Sequence, residues 1–185
     1  MAYRSGTYIA FHADGNNIPG GKSDIDYYTL LCAWNANKNH DFKIVNSHEK
    51  ASAVRDSSKN STLRASLLER LRNSRNMILI VGETTRLDTD WVPFEIEKAV
   101  DVYEIPIIVA YSVFTGAIRN PSALSAYWPP ALKERIDDGT AHAIHVPFKQ
   151  APLYDAIGQF SQEKLPNGGG LGIYDDPTYL AWGIP

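Results

Sequence analysis

Apolar residues occur along the chain in short runs, and the spacing within each run predicts which of them are strands. Five runs are rich in β-branched and aromatic residues and are too short for helices; they cover residues 7–12, 42–46, 77–81, 105–111 and 143–146. Each of them predicts a strand. The run at 77–81 is apolar at every position and precedes Gly82, as is typical of a strand that is covered on both faces of a parallel sheet.

Between these runs, apolar residues recur at helical spacing. Ser23 or Asp24 can cap a helix that ends near residues 35–40, and Ser61 or Thr62 can open a second helix after the polar stretch 47–60. Pro152 can begin a last helix that extends through residue 160. We expect residues 112–140 to be irregular apart from a short helix at 131–136. Strands therefore alternate with helices along most of the chain.

This alternation predicts an α/β fold: a flavodoxin-like doubly wound parallel sheet of five strands, forming a single domain over residues 1–165. If the strand order is 2-1-3-4-5, the order reverses between the first and third strands. The loops that leave those two strands, at 12–21 and 82–90, would then border the crevice in which this fold class binds ligands. The sequence therefore places candidate functional residues after the first and third strands.

The helix that follows the third strand carries one carboxylate on its apolar side. At about 100° per residue, the apolar positions of this helix fall within one arc of roughly 180°; they are Trp91, Val92, Ile96, Ala99, Val100, Val102 and Tyr103. Glu95 lies inside that arc, whereas Glu97 and Asp101 lie outside it. Most inward carboxylates are bonded within the fold and have only a structural role. The position of Glu95 beside the predicted crevice favours a functional role.

Composition narrows the classes of function. A chain of 185 residues with 44% hydrophobic content can bury one sizeable core, and its formal charge of −3 provides no basic footprint for nucleic acid or an anionic membrane. Cys32 is the one cysteine, so neither a disulfide nor a cysteine-based zinc site can form within the chain, and we expect no metal site. We find no signal peptide and no apolar run of about 20 residues, which predicts a cytoplasmic protein.

Residues 166–185 form a distinct C-terminal segment. Its first part, 167–172, contains four glycines and predicts a flexible hinge. Tyr174, Tyr179 and Trp182 follow. They can dock on the body of the protein, or the segment can act as a mobile lid; docking is favoured because exposed tails seldom keep this many aromatic residues.

Three groups of residues together resemble a known family. Val81-Gly82-Glu83-Thr84-Thr85, then Asp90-Trp91, then Glu95 four positions after the tryptophan, are similar to the third strand and following helix of TIR domains that cleave NAD. Phe11-His12 at the end of the first strand resembles the bacterial TIR-like group that includes the TIR proteins of Thoeris antiphage defence systems. The similarity covers about residues 7–111, with an extension towards 160, and leaves the tail unexplained.

The resemblance implies an enzyme of the NAD+ glycohydrolase, ADP-ribosyl cyclase or transferase type, with Glu95 at the position of the catalytic glutamate. NAD+ would be the substrate, no cofactor would be needed, and the product would be an ADP-ribose-derived signal in antiviral defence. The implied substrate-binding residues are Phe11, His12, Ala13, Asp14, Ser47, Thr84 and Trp91. For His12 and Trp91, a structural role, bonded to backbone or packed in the core, remains open.

Two features depart from the family pattern, and two other functions remain open. Ala10 stands where many TIR strands carry serine, and Pro93 lies in the first helical turn, where it costs no intrahelical bond. The chain could instead be a non-catalytic TIR scaffold, or an N-glycosyl hydrolase or transferase acting on another nucleotide. The implied partners are NAD+, a downstream effector that senses the nucleotide product, and further copies of the chain in a homo-oligomer.

Overall fold

A computed structural model of the chain describes residues 4–13, 24–36, 43–45 and 57–185. In these residues strands and helices alternate as follows: β1 Gly6–Ala10, α1 Asp24–Ala36, β2 Lys43–Val45, α2 Ser57–Arg72, β3 Ser74–Val81, α3 Trp91–Glu97, β4 Ile107–Tyr111, α4 Pro130–Asp137, β5 Ala143–Pro147, α5 Gln150–Gln159 and α6 Asp176–Ala181. Short 3-10 helices cover Thr85–Leu87, Pro121–Tyr127 and Gly169–Leu171.

The strands pair in parallel, in the order β2-β1-β3-β4-β5. A parallel sheet flanked by helices confirms the α/β class expected from the sequence. β1 and β3 are neighbours, and Ala10 at the end of β1 is in register with Leu79 near the end of β3. The segments that leave these two strands therefore start from the same edge of the sheet, where open α/β sheets bind ligands.

Side chains alternate along the strands between two apolar layers. Tyr8 and Ala10 of β1 point into the layer that contains α2 and α3, whereas Ile9 and Phe11 point into the layer that contains α1 and α5. The two layers bury the sheet on both faces, since every residue of β1, β4 and β5 is buried. Because successive side chains of a strand point to opposite faces, the position of each residue along β1 determines which helices it packs against.

Several elements begin earlier than the sequence predicts, because their first residues are polar. α2 begins at Ser57 instead of residue 61 or 62, and β3 begins at Ser74 instead of residue 77. Asn76 lies inside β3 and is fully buried; its side-chain amide donates to the carbonyl oxygens of Ile157 and Phe160, at 3.1 and 2.8 Å. Partners from α5 thus make this polar residue acceptable in a buried strand.

The predicted continuous α-helix over 91–103 is wrong in its second half. After α3, residues Lys98–Val102 form a π-helical turn, in which the Tyr103 N–H donates to the carbonyl oxygen of Lys98, five residues earlier. The wider turn changes the direction of the following side chains. Val102, expected on the buried side, is 56% exposed for this reason.

The C-terminal segment packs on the body of the protein, as the favoured alternative expects. Tyr179 and Ile184 are buried with Ala117, and the rings of Tyr174 and Trp182 meet edge to face with centroids 4.9 Å apart. The segment predicted to be a hinge is pinned, because Gly172 pairs with β5: its N–H donates to Ala143 O and its carbonyl accepts from His145 N. A Cβ at Gly172 would lie 2.5 Å from Ala143 O, so glycine here permits close approach.

A buried chain of hydrogen bonds joins the same segment to the sheet. The Nε1 atom of Trp128 donates to the Tyr111 hydroxyl at 2.6 Å, and that hydroxyl lies 2.8 Å from Nδ1 of His145. Nε2 of His145 lies 2.8 Å from the carbonyl oxygen of Gly170, which can only accept, so Nε2 carries the proton and Nδ1 accepts from Tyr111. Burial lowers the pKa of His145 to about 4.

Candidate functional site

Glu95 and Tyr8 form a hydrogen-bonded pair inside the protein. Glu95 lies on α3 and has 0% of its side chain exposed, as does Tyr8 on β1. The phenol of Tyr8 donates to Oε1 of Glu95. The inward direction of Glu95, expected from the helical spacing, is therefore correct. In this structure solvent does not reach the carboxylate.

The Tyr8 hydroxyl keeps its proton and can therefore donate a hydrogen bond. Burial raises the pKa of Tyr8 well above its ordinary value, and the neighbouring Glu95 raises it further. The phenol is therefore protonated at all ordinary pH values. Sequence analysis did not consider Tyr8 because an aromatic residue in a strand is expected to belong to the core. The alternation along β1, which places residue 8 in the same layer as α3, was the available signal.

His12 and Asp88 join the end of β1 to the start of α3. Nδ1 of His12 lies 3.1 Å from Oδ2 of Asp88. Oδ1 of Asp88 accepts from the backbone N–H groups of Asp90 and Trp91, both at 2.9 Å, and so satisfies donors at the beginning of the helix. Burial alone would raise the pKa of Asp88, but the bonds from His12, Asp90 and Trp91 outweigh it and hold the pKa below its ordinary value.

A second polar cluster lies where β3 ends and α1 begins. Thr85 is fully buried; its hydroxyl donates to Oδ2 of Asp24 at 2.6 Å and accepts from the N–H of Gly82 at 2.7 Å. A Cβ at Gly82 would overlap Oδ1 of Asp24, so the close approach requires glycine. The sequence predicted a substrate contact at Thr84 and did not single out Thr85, which joins these two elements. Asp24 was considered only as a helix cap.

Trp91 is half-buried at the first position of α3. It packs against the apolar layer that contains Tyr8. Arg64 of α2 covers its outer side, with Cζ 5.7 Å from the Trp91 ring and 4.9 Å from the Phe94 ring, and Nη2 donates to Oδ1 of Asp90 at 2.8 Å. Trp91 is therefore a partly exposed aromatic residue between the core and the Arg64 guanidinium. This position is compatible with a contact to substrate and with a purely structural role.

The other predicted site residues are distributed over different places. Phe11 is buried on the far face of the sheet, where its ring stacks on Tyr28 at a centroid distance of 4.7 Å, and Ala13 packs against that same layer. Thr84 lies at the start of the 3-10 helix that leads towards α3. Asp14 and Ser47 lie outside the described residues. The structure thus brings together Glu95 with Tyr8 on α3 and β1, and His12 with Asp88 at the edge above them.

Two cavities of about 550 Å³ lie away from these residues. One is lined by the π-helical turn and by the segments that precede β4 and β5, including Asp101, Glu104 and His142, so it lies at the amino-terminal edge of the sheet. The other is an open depression along α4. Among the residues described by the structure, no cluster of His, Cys, Asp and Glu could hold a metal ion, and no helix could cross a bilayer.

A sequence model of one protein family matches this chain. The family is described as "Thoeris protein ThsB, TIR-like domain", and the match covers residues 8–115, more than half of the 185 residues. The matched region begins in β1 and ends just after β4, so it includes Tyr8, His12, Asp88, Trp91 and Glu95. The C-terminal segment lies outside it.

Proposed function

The chain belongs to the family of the Thoeris protein ThsB, TIR-like domain, and from this premise we propose that it cleaves the bond between nicotinamide and ribose in NAD+. The product would be an ADP-ribose derivative, hydrolysed, cyclised or conjugated, that signals to a separate effector in antiphage defence. The proposal includes the five-stranded flavodoxin-like sheet as the frame of a TIR-like domain over residues 1–165, with residues 166–185 as an addition to it.

The observation that carries the proposal is the inward carboxylate of Glu95 on the helix after β3. The nicotinamide of NAD+ is already cationic and leaves as a neutral base, so this reaction requires no general acid. It differs in this respect from ordinary glycoside hydrolysis, which uses two carboxylates. A single fixed carboxylate can bind the hydroxyls of the nicotinamide-side ribose and stabilise the oxocarbenium ion that develops on it. Glu95 supplies a carboxyl group at the location that this role needs.

The remaining residues fit supporting roles around that carboxylate. The His12–Asp88 pair fixes the end of β1 to the beginning of α3, and Trp91 offers a partly exposed ring beside it. We assign substrate contacts to His12, Ala13, Asp14, Ser47, Thr84 and Trp91, with Phe11 supporting the strand end from the far face. Because Glu95 has no exposed surface, contact with NAD+ requires the site to open. An enzyme that is closed at rest would not consume the NAD+ of its own cell.

A non-catalytic TIR scaffold is the second candidate, and one observation favours it. Glu95 is completely buried and accepts a hydrogen bond from Tyr8, which is also the arrangement expected of a structural carboxylate. An N-glycosyl hydrolase or transferase that acts on another nucleotide would use Glu95 in the same way but would leave NAD+ intact. The three functions differ in what happens to NAD+ and in whether Glu95 matters.

The deciding experiment incubates NAD+ with concentrated protein, with and without extract from phage-infected cells, and separates the products by chromatography with mass detection. The wild-type chain should release nicotinamide, and Glu95→Gln should lower the rate at least about 100-fold, the usual loss when a charge-stabilising group is removed. Glu97→Gln, on the same helix, is the matched control and should keep the activity. Intact NAD+ under all conditions would reject the proposal; turnover of another nucleotide would identify the glycosyl hydrolase or transferase.

A further inference from the structure

The phenol of Tyr8 is a polar group in a layer formed mainly by apolar side chains. The buried hydrophobic side chains of this layer, between the sheet, α2 and α3, include Leu67, Leu71, Val92 and Ile96. Phenylalanine would fill the position of Tyr8 equally well. A buried hydroxyl costs free energy unless it is bonded, so the hydroxyl at residue 8 is explained by the partner it meets, the carboxylate of Glu95.

The hydrogen bond between Tyr8 and Glu95 joins a strand that is paired on both sides to a short helix. Tyr8 lies in the middle of β1, with Val45 of β2 and Met77 of β3 as its register partners on either side. Glu95 lies on a helix of seven residues that continues into the π-helical turn. The pairing of β1 on both sides therefore fixes the position of the phenol, and the phenol fixes the orientation of the carboxylate.

The bond also favours one charge state of the carboxylate. A carboxylate that leaves water gains a proton easily, because burial disfavours the charged form. A hydrogen bond from a neutral phenol stabilises the ionised form, since hydrogen bonds to charged groups are the stronger ones. The stabilisation of a developing cation in the proposed reaction requires this ionised form.

We propose that Tyr8 is a positioning residue for the cleavage of NAD+, which holds the Glu95 carboxylate ionised and in one orientation. This inference rests on the proposed function. Other charged groups near the pair are Arg70 of α2, whose charge acts on Tyr8, and the His12–Asp88 pair at the end of β1.

The test compares Tyr8→Phe with Tyr111→Phe. Tyr111 is a matched control because it is also a fully buried tyrosine in a central strand and in the same layer, but its hydroxyl bonds to His145 and Trp128 instead of Glu95. The first readout is the titration of the Glu95 side chain, followed by carbon NMR of protein labelled in its glutamates and assigned through Glu95→Gln. The second readout is the pH dependence of NAD+ cleavage.

Tyr8→Phe should raise the pKa of Glu95 and move the acid limb of the rate profile to higher pH by about one unit, the equivalent of one hydrogen bond to a charged group. Tyr111→Phe should move neither. An unchanged Glu95 titration in Tyr8→Phe, or a changed titration with an unchanged rate profile, would overturn the inference while leaving the proposed function intact. A wild-type chain that leaves NAD+ intact would reject both, and the titration would then show only a structural bond. Thermal unfolding of both variants checks that they are folded.

Discussion

Nδ1 of His12 lies 3.1 Å from Oδ2 of Asp88, so a side chain that follows β1 is bonded to the residue that holds the beginning of α3. Asp88 uses its other oxygen to accept two backbone N–H groups of that helix. The carboxylate of Asp88 therefore joins the segment after β1 to the first turn of α3. Because α3 also carries Glu95, the geometry at Asp88 bears on where the candidate catalytic residue lies.

Asp88→Ala should lower the free energy of unfolding by about 1–2 kcal/mol, because the backbone N–H groups of Asp90 and Trp91 lose their acceptor. Urea unfolding at neutral pH measures this change. Asp90→Ala is the control: its carboxylate pairs with Arg64 at the surface, where such pairs contribute less than about 1 kcal/mol. Equal losses in the two variants would contradict the role of Asp88 as the acceptor for these two N–H groups.

The contribution of Asp88 should also depend on pH. Its pKa in the folded protein lies below the ordinary value of 3.8, so the folded state favours the charged form. This stabilisation is complete above pH 3.8 and is lost as the pH falls through the lower folded value. The difference in stability between the wild-type chain and Asp88→Ala should therefore be constant near neutrality and shrink in strong acid, as measured by urea unfolding at each pH.

His145 should make the fold sensitive to mild acid. Its pKa falls from 6.5 to about 4 on burial, so protonation favours the unfolded chain. There is no penalty above pH 6.5; the penalty grows as the pH falls and reaches about 3 kcal/mol near pH 4. Urea unfolding between pH 4 and 7.5 should show this slope in the wild-type chain and in the exposed-site control His142→Gln. His145→Gln should be less stable at neutral pH but should lack the slope.

Gly82→Ala should destabilise the protein, because the added Cβ would overlap Oδ1 of Asp24 and disturb its bond to Thr85. We expect a loss of about 1–3 kcal/mol, the range for overpacking a buried site. Gly158→Ala is the matched control within α5, where the added Cβ would meet nothing within 4 Å apart from its neighbours in the helix. That variant should gain about 0.5–1 kcal/mol from the better helix propensity of alanine. Thermal unfolding should show a lower melting temperature for Gly82→Ala and a higher one for Gly158→Ala.

Removal of residues 166–185 should loosen β5. In the intact protein, the backbone N–H of His145 donates to Gly172 O at 2.9 Å and Nε2 of His145 donates to Gly170 O. The shortened chain lacks both acceptors. Hydrogen exchange at the His145 amide should become faster in the shortened chain, while the amides of β3 stay protected. Equal protection in both chains would mean that the segment does not stabilise the sheet.

Hydrophobic periodicity was sufficient for most of the fold and for one side chain of the site. The runs at 107–111 and 143–147 are apolar at nearly every position, and the spacing in α3 was regular enough to direct Glu95 inwards. The pattern failed where tertiary partners compensate a polar residue, as at Asn76, and where one π-helical turn changes the phase, as at Val102. The alternation along β1 places Tyr8 in the layer of α3 but does not identify Glu95, 87 positions away, as its partner. No pattern identifies Thr85, whose partner Asp24 lies 61 positions away.

The pairing of Gly172 with β5 has a consequence for contacts between copies of the protein. A strand at the end of a sheet exposes backbone groups that can bind a strand of another molecule. Here the Ala143 carbonyl and the His145 N–H are already bonded to Gly172, so the chain blocks that edge with its own backbone. Edge-to-edge addition of a second copy at β5 would first have to displace the C-terminal segment, with its buried Tyr179 and Ile184. Assembly of this protein should therefore use faces of the molecule other than the β5 edge.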